Sequence, residues 1–427
     1  MSHSPEPPID PAPRAFAVRA VRRLREAGYT AYWAGGCVRD LLMGHTPSDY
    51  DIATSAEPDQ VRTLFGRRWT IPVGEAFGVI LVRGRPGEGD VEVATFRTEG
   101  RYLDGRRPES VRYSSPEEDA FRRDFTINGM FFDPIEEQVI DYVGGRADLA
   151  AGLVRAIGDP VERFREDKLR MLRAVRMTAR FGFQLDPATA TAVHDHRAEI
   201  AVVSRERIAQ ELKKMLENER RVQAMELAWQ LGLLSAAIPD WPLPSADLAP
   251  SDANACWQRQ MARLAALENP SFALALAALW MELEPALVRN LARGLRLSNE
   301  VSDRVTRLVE EAPGIDEVSS WSPSRIKRLL ADPIHADLLA LVRADGLARS
   351  ASLRDVESLE IWLDRLTPAE IDPPQLVSGQ DLIAAGLRPG PDFKHWLETI
   401  RDAQLDGVIH TRDDALALAR RLTRPES

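Results

Sequence analysis

The sharpest chemical feature of this 427-residue chain is a pair of carboxylates one residue apart, in Ser48-Asp49-Tyr50-Asp51-Ile52-Ala53-Thr54. Polar and apolar residues alternate over 48–53, which predicts a strand, and side chains on a strand alternate faces. Asp49 and Asp51 then point the same way and can share hard cations. Two Mg²⁺ ions held there would activate an attacking hydroxyl and stabilise a leaving pyrophosphate oxygen. Upstream, Gly35-Gly36 opens a turn from a predicted strand over 29–34 into a short helix over 37–43. Two glycines let a backbone approach phosphate closely, the helix start offers unpaired N–H groups, and Arg39 can grip a triphosphate bidentately. Each feature alone is common, since an Asp-x-Asp is usually a surface pair and a Gly-Gly usually a tight turn. The turn followed about a dozen residues later by the Asp-x-Asp strand is far more specific.

Two further clusters carry polar chemistry. In Arg122-Arg123-Asp124, Arg123 suits a phosphate or ribose oxygen and Asp124 can accept from a ribose hydroxyl; the ordinary alternative is a helix-start ion pair. In Glu166-Asp167-Lys168-Leu169-Arg170, a helix would project Asp167 and Arg170 from one face at i and i+3. A carboxylate accepts and a guanidinium donates, which matches the amino donor and ring-nitrogen acceptor that cytosine and adenine share. Guanine and uracil present the reverse pattern, and each buried group left unpaired costs about 1–3 kcal/mol. The competing reading is a plain helix salt bridge worth about 0.2–0.5 kcal/mol. Arg173 and Arg176 continue the same face toward a triphosphate or an RNA end. Between 161 and 180 there are seven cations, among them Arg163, Arg165 and Arg180, against three anions. Such a stripe neutralises phosphate without reading sequence. His194-Asp195-His196 lacks an upstream His at suitable spacing and reads as surface.

The elements that must position these residues change character along the chain. A helix over 13–27, strands over 29–34, 48–53, 78–82 and 91–97, and the glycine-rich turn 84–89 mix helix and strand through about residue 150. From Asp159 the pattern is almost wholly helical, with proline-rich breaks at 239–254 and 367–375. The expected fold is α+β: a small mixed, mainly antiparallel sheet domain at 14–150 behind a disordered tail at 1–13, then helical segments at 151–220, 221–365 and 366–427. Net charge is −10 with only two cysteines, Cys37 and Cys256. That excludes a disulfide scaffold or Cys-cluster zinc site and fits a reducing compartment. The longest apolar run, near 272–281, is about half of a membrane span, and 1–14 has no signal-peptide character. A cytoplasmic protein without a membrane is expected, and no obligatory protein partner is evident.

Taken together, the Gly-Gly turn and Asp-x-Asp strand are the arrangement of polymerase-β-type nucleotidyltransferases. The chain resembles the class II CCA-adding tRNA nucleotidyltransferases and their relatives, the bacterial poly(A) polymerases. The resemblance rests on GGCVRD (35–40), SDYDIAT (48–54), RRDFTIN (122–128), GGRADL (144–149), EDKLRMLRAVR (166–176) and SRERIAQELKKML (204–216), with LRLSNE (295–300) and GQDLIAAGLRPGP (379–391) similar to the body and tail of longer bacterial members. It implies a head, neck, body and tail, two Mg²⁺ ions, ATP and CTP as substrates and tRNA as partner. It implies that Asp49 and Asp51 are catalytic metal ligands and that Glu92 is a third carboxylate. Gly35, Gly36, Arg39, Arg123, Asp124, Asn128, Asp167, Arg170, Arg173 and Arg176 are implied for the nucleotide, and Arg163, Arg165 and Arg180 for RNA. A poly(A) or A-only product is the alternative. The stretch 98–115, with Arg101, Asp104, Arg106 and Arg107, resembles the flexible loop of members that finish with A. The chain's end at Pro425-Glu426-Ser427, without a basic extension, favours CCA over poly(A) addition.

Overall fold

Seven strands form one sheet in the order β3-β4-β5-β2-β1-β8-β9. They are β1 (Ala31–Ala34), β2 (Asp51–Thr54), β3 (Thr70–Gly74), β4 (Val79–Arg83), β5 (Asp90–Thr95), β8 (Phe131–Asp133) and β9 (Gln138–Ile140). A separate ribbon pairs β6 (Arg97–Glu99) with β7 (Val111–Tyr113). Every neighbouring pair in the large sheet is antiparallel except β2 with β5, which run parallel with Asp51 opposite Glu92. The computed structural model describes residues 12–74, 78–99, 111–243 and 252–422. Most of the expected N-terminal tail, the centre of the 98–115 stretch with Arg101, Asp104, Arg106 and Arg107, and the end at Pro425-Glu426-Ser427 lie outside these residues.

The sheet core forms because its strands place one large apolar side chain per pleat. Trp33 of β1 is fully buried, with the Tyr50 ring 4.7 Å and the Phe132 ring 5.6 Å away. Helix α1 (Ala12–Glu26) covers this core with Ala17, Ala20, Val21 and Leu24, a stripe at helical spacing. After α2 (Gly36–Leu42) and α3 (Pro58–Phe65), α4 (Pro116–Phe121) starts on a capping box in which Ser115 and Glu118 satisfy each other's backbone N–H groups, with Pro116 at the first helical position.

Beyond α5 (Gly145–Ala151), the described residues form helices apart from the two-residue parallel pair β10 (Leu153–Val154) and β11 (Gln184–Leu185). The first of these helices are α6 (Pro160–Glu166), α7 (Arg170–Phe181), α8 (Pro187–His196) and α9 (Arg205–Leu216). The expected single helix through 166–176 is two, because Asp167 ends α6 in extended backbone (φ −143°, ψ 105°) and α7 begins at Arg170. Asp167 and Arg170 are therefore joined by a turn, in which Arg170 N–H donates to the Asp167 carbonyl at 3.0 Å, and do not share a helix face. α7 packs on α9 through a buried ion pair, Arg176 Nε to Glu211 Oε2 at 2.6 Å.

The chain divides into two units, Met1–Asp247 and Leu248–Ser427. The described part of the second unit is helical, and no described helix is long and apolar enough to cross a membrane. Its core contains a fully buried cation: Arg263, on the helix Asp252–Ala266, donates to Asp345 at 2.6 Å and to Glu282. Glu282 also receives two bonds of 3.0 Å from Arg259. The Arg259 hydrogen bonds lead in holding the Glu282 carboxyl down at about 2, against burial and together with Arg263.

A carboxyl depressed from 4.5 contributes stability that is present above pH 4.5 and lost as pH falls toward 2. Glu282→Gln should destabilise the second unit by about 2 kcal/mol at neutral pH, the scale of hydrogen bonds to charged groups. The gap to wild type should narrow as pH is lowered through that window. Urea titrations of the full chain at several pH values measure it, and a pH-independent gap contradicts the ion-pair account.

Candidate active site

The two aspartates owe their direction to a tyrosine. Strand β2 begins at Asp51, so Asp49 lies just before it, not within a strand spanning 48–53 as the alternation predicts. Tyr50 is nonetheless buried against Trp33 while Asp49 and Asp51 are exposed. Anchoring the middle side chain in the core turns both neighbours outward. They open on a cleft of about 600 Å³ with Gly35 and Gly36 at its rim. Gly35 has φ +74°, a left-handed backbone that favours glycine, and a Cβ there would crowd Arg123 Nη1 at 3.2 Å. In the same turn Cys37 is buried, and desolvation pushes its thiol up to about 12, so it stays protonated and inert.

A relay of polar side chains builds the opposite wall. Asp124, buried, accepts from Phe125 N–H at 2.8 Å, Asn128 Nδ2 at 3.0 Å, and Arg173 Nε and Nη2 at 2.9 and 2.6 Å. Burial would raise its carboxyl, but Arg173 and the Asn128 bond overcome that and hold it far below the ordinary carboxylate range. Asn128 in turn accepts from Arg39 Nη1 at 2.6 Å. The other donors of Arg39 engage Asp40 at 2.7–2.9 Å, and its face lies 4.4 Å from the Phe181 ring of α7. Arg39 lines the cleft, yet its guanidinium is already committed to joining α2 with α7.

Asp119 plays a similar part on α4. It is fully buried and accepts from Arg122 through Oδ1 and from Arg123 through Oδ2. Burial raises its carboxyl less than Arg123 and Arg122 lower it, so it stays ionised. One carboxylate thereby fixes two guanidiniums at the cleft. Asp167 and Arg170 both line the cleft but are paired elsewhere: Asp167 with Arg207 of α9 at 2.7 Å, and Arg170 with Glu166 at 2.6 Å and the Arg122 carbonyl at 3.0 Å. Arg173 and Arg180 also line it.

Other expected residues lie apart. Arg176 is buried against Glu211, so it does not continue a cationic face into the cleft. Arg163 pairs with Glu166 at 2.5 Å and Arg165 with Glu162 at 2.6 Å, and neither lines it. Glu92 is the cross-strand neighbour of Asp51 but is absent from the lining. Sequence reasoning missed Arg97, Asp40, Ser48 and Met177 of the lining, and Arg207 behind it. Arg207 lies in the 204–216 stretch already singled out, but only the long-range contact with Asp167 shows its part.

Seven arginines and five aspartates face the cleft, a net positive site in a chain of net charge −10. Within it Asp51 is the exception. Although it opens on the cleft, protein atoms strip part of its hydration. That, with the negative charge of Asp49 and Glu92, pushes its carboxyl up to about 6 despite Arg123. Among the described residues no group of three or more His, Cys, Asp or Glu side chains forms a metal cage. Mg²⁺ is commonly held by one or two carboxylates with water and substrate phosphates. The Asp49/Asp51 pair, crowded by like charge and open to the cleft, fits that kind of ion.

A carboxyl raised from 3.8 to about 6 favours the folded state fully below pH 3.8, and that contribution is lost as pH rises through 6. Asn mimics the protonated form at every pH. Asp51→Asn should therefore raise the Tm of the metal-free protein at neutral pH and leave it unchanged below pH 3.8. Thermal scans at both ends test this, and an equal gain at both would show that charge repulsion is not the cause.

Comparison with known proteins places this geometry. Residues 31–155 match the family described as the poly A polymerase head domain, and 182–242 match a probable RNA and SrmB-binding site of polymerase A. The CCA-adding enzyme of Lactobacillus helveticus is 31% identical over 96% of this chain and 97% of its own length. That of Geobacillus thermodenitrificans is 37% identical over 94% and 95%. The crystal structure of the Bacillus stearothermophilus CCA-adding enzyme in complex with CTP superposes with a TM-score of 0.75 at 30% identity, covering 96% of this chain and 98% of that one. With end-to-end similarity of this kind joined to the Gly-Gly turn and paired aspartates at one cleft, the chain belongs to the family of CCA-adding nucleotidyltransferases.

Proposed function

We propose that this chain adds C, C and A to the 3′ end of tRNA from CTP and ATP. The observation that carries the reading is a single cleft holding two unlike groups: the outward carboxylates Asp49 and Asp51, and the Asp167/Arg170 pair with the donor and acceptor pattern that cytosine and adenine share. In this reading 14–150 is the head, 151–220 the neck, 221–365 the body and 366–427 the tail.

The reaction forms a bond between the terminal 3′-oxygen and the α-phosphorus and breaks the bond to pyrophosphate, with the hydroxyl proton lost to solvent. Asp49 and Asp51 would hold two Mg²⁺ ions, which when bound polarise the attacking hydroxyl and the phosphate oxygens. Glu92, next to Asp51, adds negative charge that favours such cations. Arg123 and Arg122, fixed by Asp119, face the triphosphate. Asp124 and Asn128 meet the ribose side of the nucleotide, and Arg173 holds Asp124 ionised for that purpose. Arg39 acts by tying the glycine turn to α7 rather than by a free grip on phosphate. Arg180 meets phosphate at the cleft, while Arg163 and Arg165 face RNA outside it. Arg176 supports α7 through Glu211.

Base choice is the most specific part. The Asp167 carboxylate accepts from the exocyclic amino group and Arg170 donates to the adjacent ring nitrogen. Both side chains already have protein partners, so the base joins or replaces Arg207 at Asp167 and Glu166 at Arg170. Guanine and uracil place donor against donor and acceptor against acceptor, and pay about 1–3 kcal/mol per unpaired group.

Two experiments test this. The protein is given tRNA lacking CCA, ending in C, or ending in CC, with CTP or ATP separately, and the products are sequenced. Stepwise C, C, A addition is expected. Long A tails would instead identify a poly(A) polymerase, and addition of A alone to the CC end an A-only enzyme. Asp49→Ala or Asp51→Ala should abolish addition, and normal turnover at ordinary Mg²⁺ would refute the metal assignment. Asp167→Ala should slow C and A addition and raise U and G misincorporation by tens of fold, corresponding to one or two mispaired groups. Full retention of preference would reduce the pair to a structural ion pair.

A further inference from the structure

A second cavity, of about 700 Å³, lies on the head between α1, the segment 65–69 and the β4–β5 hairpin. It shares no lining residue with the cleft. We propose that this groove is a second RNA contact that takes an unpaired segment, with bases stacked on its aromatic rings and phosphates on its arginines.

Three aromatic side chains, Phe16, Phe65 and Trp69, line the groove, and Trp69 is 40% exposed. A large indole left half in water by a sheet domain with an adequate core is a ready stacking surface. Four arginines line the same groove: Arg19, Arg23, Arg83 and Arg85. Glu88 is the single anion, and it is already used by Arg19 and by the Arg85 backbone N–H at 2.9 Å. The lining is thus positive by three charges in a chain whose sum is −10.

The cations also interleave with the rings. Arg23 lies 5.3 Å from the Phe65 ring and Arg19 5.7 Å from Phe16, while Arg68, outside the lining, lies 5.1 Å from Trp69. Alternating guanidinium and aromatic planes in a positive groove are how proteins hold single strands without reading sequence, with stacking worth about 1–3 kcal/mol per base. A purely apolar partner would cover the exposed guanidiniums of Arg83 and Arg85 without meeting their charge. A bare phosphate would leave the rings unused. Arg83 and Arg85 are exposed at the hairpin, at the mouth of the groove where a backbone would run.

The inference does not rest on the activity proposed above, because its readout is RNA binding, not nucleotide addition. The full-length protein is irradiated with a 4-thiouridine-substituted oligoadenylate and the crosslinked peptides are mapped. Crosslinks are expected at 65–85 as well as at the cleft. Trp69→Ala should weaken oligonucleotide binding at least about five-fold, the lower end of the stacking range, and Trp69→Phe should largely restore it. Arg83→Ala with Arg85→Ala should flatten the log–log salt dependence by about 1.4, two phosphates at about 0.7 each on a single strand. Addition to saturating tRNA should be unchanged in all three variants, which also shows that they fold. Crosslinks confined to the cleft, unchanged affinity in Trp69→Ala, or equal loss in Trp69→Phe would each overturn the proposal. So would protection of the 65–85 crosslink by AMP as effective as that by the oligonucleotide, since the groove would then be a mononucleotide site.

Discussion

The first unit depends on one buried carboxylate, Asp124. It sits where the strand-bearing part of the unit meets α7, and a charge in that position is costly unless every lone pair is met. Arg173 and Asn128 meet it, and Asn128 passes the constraint on to Arg39 and so to the glycine turn. Three segments distant in sequence, 35–42, 124–128 and α7, are thereby held in register by geometry-sensitive bonds. Apolar packing alone would tolerate a slide of an ångström between α2 and α7. The directional bonds from Arg39 to Asn128 and from Arg173 to Asp124 would not.

The same unit shows how one set of residue types is given opposite tasks. Asp119 and Asp124 are buried with guanidiniums and stay ionised. Asp51 is left among carboxylates with only Arg123 to relieve it. The first pair spends its charge on organising arginines, and the second keeps its charge unspent. The unbalanced position is one that suits a cation, and the balanced positions present guanidiniums that suit an anion.

Much of this was legible in the sequence, and the failures have physical causes. Alternation around Tyr50 correctly turned Asp49 and Asp51 to one side, because a buried aromatic enforces alternation even ahead of the strand's hydrogen bonds. The mixed sheet, the hairpin at 84–89 and the helical remainder followed from period and glycine placement. The break at Asp167 did not, since Asp-Lys-Leu contains no glycine or proline to mark it; there the Asp167 carboxylate accepts from Leu169 N–H at 3.1 Å and from the distant Arg207, and only the second contact is long-range. Arg176 failed for a related reason. Three-residue spacing says which way a side chain leaves a helix, but not that Glu211, 35 residues away, waits there. Arginines look alike in sequence, and their partners divide them into scaffold, cleft and surface.

The parallel pairing of β2 with β5 has a consequence for how this head can change over time. Parallel neighbours need a long crossover, and here it runs from Thr54 to Asp90 through α3, β3 and β4. The alignment of Asp51 with Glu92 is set by the two strands themselves, so the detour between them has only to leave one and return to the other. Most of the aromatic and basic groove is built from that detour. Its loops can lengthen, shorten or change charge without moving the carboxylates, which makes the crossover the part of the head where the groove's shape and charge can diverge between lineages while the alignment of Asp51 with Glu92 stays fixed.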